Sequence, residues 1–165
     1  MSGIRVLVAN KTQAELYDLP TRRSALKPVR TFTNPAGKKR ESALGTSRPG
    51  RMMNRSAGTR QAYESKHSIK EQAAEELVRQ VAAALATHVK RGSGTRMVLV
   101  AAPQTLGVYR RHLPAPVRKR VILEIQRDLN KLPVATLEKR VLAALQELRP
   151  SVIANWGVRR RTPAG

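Results

Sequence analysis

Cysteine is absent from this sequence, and aromatic residues are scarce. Without cysteine the chain can form neither disulfides nor thiolate metal sites, which is typical of proteins from reducing compartments. One Phe, one Trp and three Tyr leave the core to Leu, Val, Ile and Ala. No window approaches the roughly 18 consecutive apolar residues of a membrane span, and the N-terminal apolar run is too short for a signal peptide. These absences predict a soluble cytoplasmic protein.

Acidic residues are also few, so positive charge dominates the chain. There are 32 Lys and Arg against 11 Asp and Glu, which gives a net charge of +21. Self-repulsion on this scale opposes a compact state, and an anionic partner is the expected compensation. With 165 residues, of which 41% are hydrophobic, the chain is nevertheless long enough to bury the core of one domain.

The first part of the chain has the pattern of β-strands. Residues 4–10 form an apolar run rich in β-branched side chains, and residues 13–19 and 24–33 follow after short links. This pattern predicts an antiparallel meander of three strands. Pro28 removes one hydrogen-bond donor from the third segment, which places that strand at an edge or at a bulge.

A long amphipathic helix is predicted to begin at Ser68. Ser68 and Glu71 have the spacing of a capping box, and apolar residues then recur at helical spacing as far as Val89. Gly92 and Gly94 end the helix.

The rest of the chain alternates between strand and helix patterns. An interior strand at 95–103, a helix from Thr105, a strand near 120–127 and a final helix at 134–148 are expected. Such alternation implies parallel pairing with right-handed crossovers. The predicted fold is therefore a single α/β domain over residues 1–149, a three-strand meander followed by α-β-α-β-α, which resembles ribonuclease H topology.

Residues 34–67 are predicted to form a basic loop inserted in this domain. Glycine and proline recur there, and the many Lys and Arg face only Glu41 and Glu64. A loop of this length in a compact domain is usually functional or disordered. We predict that it is disordered alone and ordered by an anionic partner. Residues 150–165 are predicted to form a flexible basic tail.

The sequence offers little material for catalysis. A ribonuclease H-like nuclease needs several carboxylates around two metal ions, yet the only aspartates are Asp18 and Asp128. Glu15 and Glu124 are more simply interpreted as surface charges on half-buried strands. The three histidines lack zinc-site spacing, and no Gly-x-Ser-x-Gly motif is present. We predict no enzymatic activity, no cofactor and no metal.

Separate clusters of Lys and Arg are the remaining signal. Any one cluster alone usually marks a solvated face, but several of them with so little acid favour binding to polyphosphate. Because aromatic residues are few, base stacking cannot carry the affinity, and contacts to phosphate and to the shape of structured RNA are expected. The predicted RNA-binding residues are Lys38, Lys39, Arg40, Arg48, Gly50, Arg51, Arg55, Gly58, Arg60, Gln61, Lys66, His67, Arg110, Arg111, Arg118, Lys119, Arg120, Arg159, Arg160 and Arg161.

Several short motifs resemble a known family. The motifs VLVAN, LGTSRPGR, GTRQAYE, MVLVAAPQTLG and IQRDLNKLP occur in this order between residues 4 and 147. Together they resemble the bacterial host attachment protein family, which is related to archaeal and eukaryotic peptide release factors and to Pelota. The resemblance implies an α/β fold like the middle domain of those proteins.

The resemblance also bears on function. Release factors carry a Gly-Gly-Gln loop ahead of the long helix, and the corresponding place here reads Gly58-Thr59-Arg60-Gln61. The second glycine is missing, which argues against peptide release. Pelota-like relatives imply ribosome rescue or dormancy, whereas the family's name implies attachment to a host.

Three functions therefore stay open. The leading hypothesis is a non-enzymatic protein that binds ribosomal RNA or tRNA on the ribosome through the basic loop. The alternative is a host attachment factor that acts at the cell surface or on the regulation of attachment genes. A hydrolase is the weakest alternative.

Overall fold

A five-stranded mixed sheet forms the centre of the protein. The computed structural model describes residues 3–34, 58–91 and 94–148. The strands are β1 (Ile4–Ala9), β2 (Gln13–Leu19), β3 (Lys27–Thr33), β4 (Arg96–Ala101) and β5 (Val121–Gln126). They lie in the order β3-β2-β1-β4-β5. The first three pair antiparallel, and β4 extends the sheet parallel to β1, followed by β5 parallel to β4. Both the predicted meander and the predicted parallel half are confirmed.

Helices cover both faces of this sheet. They are α1 (Gly58–Lys90), α2 (Pro103–His112), α3 (Ala115–Arg118) and α4 (Val134–Gln146). Alternate residues of one strand point to opposite faces, so Leu7 of β1 packs with α1, α2 and α3 while Val8 packs with α4. The protein is thus a three-layer domain, which confirms the predicted α/β class with helices packed on a mixed sheet.

Burial on both faces explains the composition of the two inner strands of the parallel half. All residues of β1 except Arg5, and all of β4 except Arg96, are buried. Strands covered by helices on both faces read as continuous apolar runs rather than alternating ones. The apolar runs near residues 4 and 96 therefore mark the interior of the sheet.

Pro28 lies on an edge strand and beside a bulge, and both predictions for it are confirmed. β3 is the last strand on its side of the sheet. Its pairing with β2 slips between Leu16 and Tyr17, so that Val29 becomes an extra residue on β3. An edge strand tolerates proline because one of its sides needs no backbone donor.

The start predicted for the long helix is wrong. α1 begins at Gly58, ten positions before Ser68, so residues 58–67 of the predicted loop are helical. This stretch contains no proline and is rich in residues with high helix propensity, such as Arg, Gln, Ala, Glu and Lys. The carboxylate of Glu71 contacts the His67 ring, with Oε1 3.2 Å from Nδ1. Ser68 and Glu71 thus lie within a continuous helix and do not cap its start.

The other predictions for the basic loop and for the tail concern residues 35–57 and 149–165, which lie outside the described residues.

Candidate nucleic-acid interface

One end of the sheet collects the first residues of the three parallel strands. The main-chain N–H of Arg96 donates to the carbonyl of Gly3 at 3.0 Å, and that of Met97 donates to the carbonyl of Arg120 at 2.8 Å. These bonds bring the starts of β1, β4 and β5 side by side. On the other side of β1, Ile4 lies opposite Leu19, at the end of β2.

Basic residues from five separate parts of the chain meet at this end. Lys27 opens β3, and two arginines lie in the turn that leads to it from β2. Lys90 ends α1 and Arg91 follows it, one basic residue opens β4, and three precede β5. We call this group the basic edge: Arg22, Arg23, Lys27, Lys90, Arg91, Arg96, Arg118, Lys119 and Arg120. All nine are at least partly exposed to solvent.

The end of α1 is held against the sheet at the basic edge. The Nε2 atom of His88 lies 3.5 Å from the hydroxyl of Thr95. Thr95 is buried and directly precedes β4. This contact therefore keeps Lys90 and Arg91 beside the start of β4.

Asp18 is the acidic residue that strand register places at this end, and it is already paired. The Nε atom of Arg5 donates to its Oδ1 at 3.1 Å, across the β1–β2 ladder. The charge of Asp18 is thus matched by Arg5. The pKa of His88 is lowered, first by its burial and then by the positive charges of Arg5 and Arg91, while Asp18 acts in the opposite direction.

The structure separates the predicted RNA-binding residues of the second half. Arg118, Lys119 and Arg120 belong to the basic edge. Arg110 of α2 is instead bonded to Glu124 of β5 through Nε and Nη2, so its charge is matched locally. Arg111 is exposed on α2.

The remaining predicted residues lie mainly outside the described part of the chain. His67 is exposed on α1 and contacts Glu71. Residues 58, 60, 61 and 66 belong to the first turns of α1, where only the backbone is described. The other predicted RNA-binding residues, Lys38, Lys39, Arg40, Arg48, Gly50, Arg51, Arg55, Arg159, Arg160 and Arg161, fall in the undescribed ranges.

Sequence reasoning missed most of the basic edge because its members are not neighbours in sequence. Arg22, Arg23, Lys27, Lys90, Arg91 and Arg96 stand singly or in pairs, without the density of a basic cluster. A signal was nevertheless present, since all of them except Lys27 lie near the end of a predicted element or between two of them. Parallel strands begin at the same end of a sheet, so the predicted parallel pairing groups Arg96 with the basic residues before β5, whereas the other members are added only by the strand order.

Other kinds of site are not evident in the described part of the chain. Within residues 3–34, 58–91 and 94–148, no three His, Asp or Glu side chains approach closely enough to hold a metal ion. No helix in those ranges has the length and apolarity needed to cross a membrane. The hydroxyl of Tyr17 donates to Glu15 at 2.5 Å, and burial together with this bond raises the pKa of Tyr17 to about 12. A phenol held in this way stays neutral and serves packing.

Solved structures with a similar chain path include a translation factor. The crystal structure of the archaeal translation termination factor aRF1 is 12% identical, with a TM-score of 0.46, and the match covers 88% of this chain and 39% of that one. A structure described as an archaeal protein is 10% identical, with a TM-score of 0.42, and covers 88% and 38% respectively. This chain thus spans well under half the length of either structure.

Sequence comparison assigns the chain to a family, which the similar structures do not. No curated protein matches the sequence significantly. The family described as "Protein required for attachment to host cells" matches residues 5–141, which confirms the resemblance seen in the short motifs. Because the match covers most of the sequence, the chain belongs to this host attachment family.

Proposed function

We propose that the protein is a non-enzymatic RNA-binding protein that holds structured RNA by its phosphates. The observation that carries this proposal is the basic edge, where nine Lys and Arg side chains from five parts of the chain meet at one end of the sheet. The fold gathers cations that are scattered in sequence. Such a concentration is the electrostatic footprint of a nucleic-acid-binding surface.

The dimensions of the basic edge suit a nucleic acid backbone. Neighbouring strands lie about 4.8 Å apart, so the five-strand row from Lys27 to Arg120 is roughly 19 Å wide. Lys90 and Arg91 stand on the α1 side of this row, which makes the surface two-dimensional. A surface of this shape can contact several phosphates on more than one stretch of a folded RNA.

The aromatic side chains that the structure describes argue for phosphate contacts rather than base stacking. Tyr17, Phe32 and Tyr109 are each buried in the core. Proteins that bind single strands without sequence preference usually stack bases on exposed rings. Double-stranded and folded RNA is recognised mainly through its backbone and shape, which matches the groups that the basic edge presents.

The ribosome is the leading candidate for the source of this RNA. The motif resemblance implies a relationship to release factors and Pelota, and ribosomal RNA or tRNA is the structured RNA that such proteins meet. In this proposal the protein acts in ribosome rescue or dormancy, in the cytoplasm. The basic residues between 34 and 67 provide further phosphate contacts.

A role in attachment to host cells is the second candidate, and the family match favours it. The description of the family gives a requirement for attachment and not a mechanism. A direct role would place the basic edge against an anionic polymer of the host surface. An indirect role would place the protein on an RNA whose translation supports attachment.

Charge reversal at the basic edge tests the proposed RNA binding. Arg118→Glu with Lys119→Glu should lower affinity for an RNA hairpin at least tenfold, because two attractive contacts become repulsive. The control is Lys139→Glu with Arg140→Glu, an identical change of charge at exposed positions of α4. Equal losses of RNA affinity in both variants would mean that binding depends on net charge and not on the basic edge.

Cell fractionation separates the two candidate functions. Ribosomal association predicts that the protein sediments with ribosomal particles in a sucrose gradient and leaves them at high salt. A direct role in attachment predicts recovery in the envelope fraction, and exclusive recovery there would overturn the ribosomal assignment.

A further inference from the structure

The two edges of the sheet are protected to different degrees. Free edges invite pairing with other chains, and proteins usually guard them with charge, proline or bulges. β3 has all three devices: Lys27 and Arg30 provide charge, Pro28 removes a donor, and Val29 is the bulged residue. Six of its seven residues are exposed. This edge is poorly suited to strand pairing.

β5 lacks most of these devices. Its sequence is VILEIQ, without proline, lysine or arginine. The charge of Glu124 is matched by Arg110 of α2. The register with β4 slips only at the first residues of β5, and from Leu123 to Gln126 the pairing is regular.

The residues of β5 are also partly exposed to solvent. Among the described residues the sheet ends at β5, which pairs with β4 alone. None of its six residues is fully buried, in contrast to the buried residues of β4. An apolar, regular strand thus presents one row of backbone N–H and C=O groups at the rim of the molecule.

We propose that β5 accepts an extended segment of a partner protein as a sixth strand, and that this segment has acidic residues at its ends. Backbone hydrogen bonds supply affinity in such strand addition, and the flanking charges select the partner. Arg118, Lys119 and Arg120 precede β5, and Arg127 follows it. Acidic flanks on the incoming strand would meet these cations at either end.

The same cations disfavour pairing of β5 with a second copy of this chain. An antiparallel pair of β5 strands would place Arg120 of each copy near Arg127 of the other. A parallel pair would place the three basic residues before β5 against their own copies. Like charges directly opposite each other destabilise strand pairs. A partner with acidic ends is therefore favoured over self-association.

This inference goes beyond the proposed RNA binding and does not depend on it. RNA offers no alternating N–H and C=O ladder and cannot extend a sheet. The two surfaces share only the basic residues that precede β5, and variants at the opposite side of the sheet can separate them.

A synthetic peptide tests the proposal with the full-length protein. The probe has alternating valine and threonine in its centre and glutamate at both ends. Its matched control has the same sequence with N-methyl groups on alternate central residues, which removes the backbone donors and keeps the charge. Calorimetry should detect binding of the probe peptide to the protein and no binding of the methylated control. Hydrogen exchange should show new protection of main-chain amides within 121–126.

Two charge-reversal variants then separate peptide binding from RNA binding. Arg118→Glu with Lys119→Glu should lower the affinity for the peptide about fivefold, because two exposed charge pairs become repulsive. Arg23→Glu with Lys27→Glu, on the β3 side, should leave peptide binding unchanged while weakening RNA. Equal binding of the methylated peptide, protection outside β5, or dimers that form through β5 would each overturn the proposal. Loss of RNA binding alone would leave it intact.

Discussion

The side-chain amide of Asn34 donates a hydrogen bond to the main-chain carbonyl of Ala73, at 2.7 Å. Asn34 is buried and follows β3 directly, so this bond ties the end of the sheet's edge strand to α1. Gly58, where α1 begins, lies fifteen residues before Ala73, about 22 Å along the helix at 1.5 Å per residue. Asn34 and Gly58 therefore lie roughly this far apart.

Asn34→Ala should lower the free energy of unfolding by about 1 to 2 kcal/mol, because it removes a buried donor that satisfies a helix carbonyl. Thr33→Ala, at the exposed neighbouring position, is the control and should change stability by less than about 0.5 kcal/mol. Urea denaturation measures both. Equal effects would mean that the bond to Ala73 contributes nothing to stability.

Two valines of α4 offer a matched test of the second core layer. Val141 is 0% exposed and Val134 is 43% exposed. Val141→Ala should cost about 2 kcal/mol through lost burial and the cavity it leaves, whereas Val134→Ala should be nearly neutral. Thermal or chemical denaturation decides the matter. A small effect at Val141 would contradict the packing of α4 on the sheet.

His88 should make stability depend on pH. Its pKa is lowered in the folded protein from the ordinary value of 6.5, first by burial, so the unfolded chain binds the proton more readily. The contribution is fully present above 6.5 and is lost as pH falls through the lower, folded value. The melting temperature should therefore fall between pH 7 and pH 5.

His88→Gln should reduce that fall in melting temperature. The control is Ala83→Gln, at an exposed position of the same helix, which removes no titratable group and should leave the fall unchanged. Identical pH profiles for the wild type and His88→Gln would remove His88 as its source.

Binding to RNA should depend strongly on salt. If about six cations of the protein contact phosphate, the logarithm of the binding constant should fall against the logarithm of salt concentration with a slope of roughly −4 to −5. Titrations of an RNA hairpin at several salt concentrations give the slope. The variant Arg118→Glu with Lys119→Glu should have a shallower slope, and a wild-type slope near zero would contradict phosphate binding.

Gln61→Ala should have only a small effect on affinity for ribosomes. The wild type should not release peptide from peptidyl-tRNA. Gln61 lies in α1, whose helical backbone cannot form the positive-φ turn that a Gly-Gly pair permits. Loss of one polar contact costs on the order of 1 kcal/mol, about fivefold in affinity for ribosomes. Arg55→Glu with Arg60→Glu should cost considerably more. Peptide release by the wild type that Gln61→Ala abolishes would establish an enzyme.

Local patterns predicted most of the elements, but they missed the short helix α3 and placed the start of α1 ten residues too late. Apolar runs in β1 and β4, the alternation in β2 and the helical period of α4 all correspond to the structure. The start of α1 was wrong because Ser68 and Glu71 imitate a capping box. A side-chain motif of this kind can also occur within a helix, where the carboxylate has other partners such as His67.

The sequence by itself determined the elements, the mixed sheet, the excess of cations and the family of this protein. These properties depend on composition, on periodicity and on residues close together in the chain. Only the tertiary structure decided that Arg23, Lys90, Arg96 and Lys119 share one surface, that Arg110 is matched by Glu124, and that β3 and β5 are the two edge strands of the described sheet. Such relationships join residues far apart in sequence, and they follow from strand order and register, which local patterns do not encode.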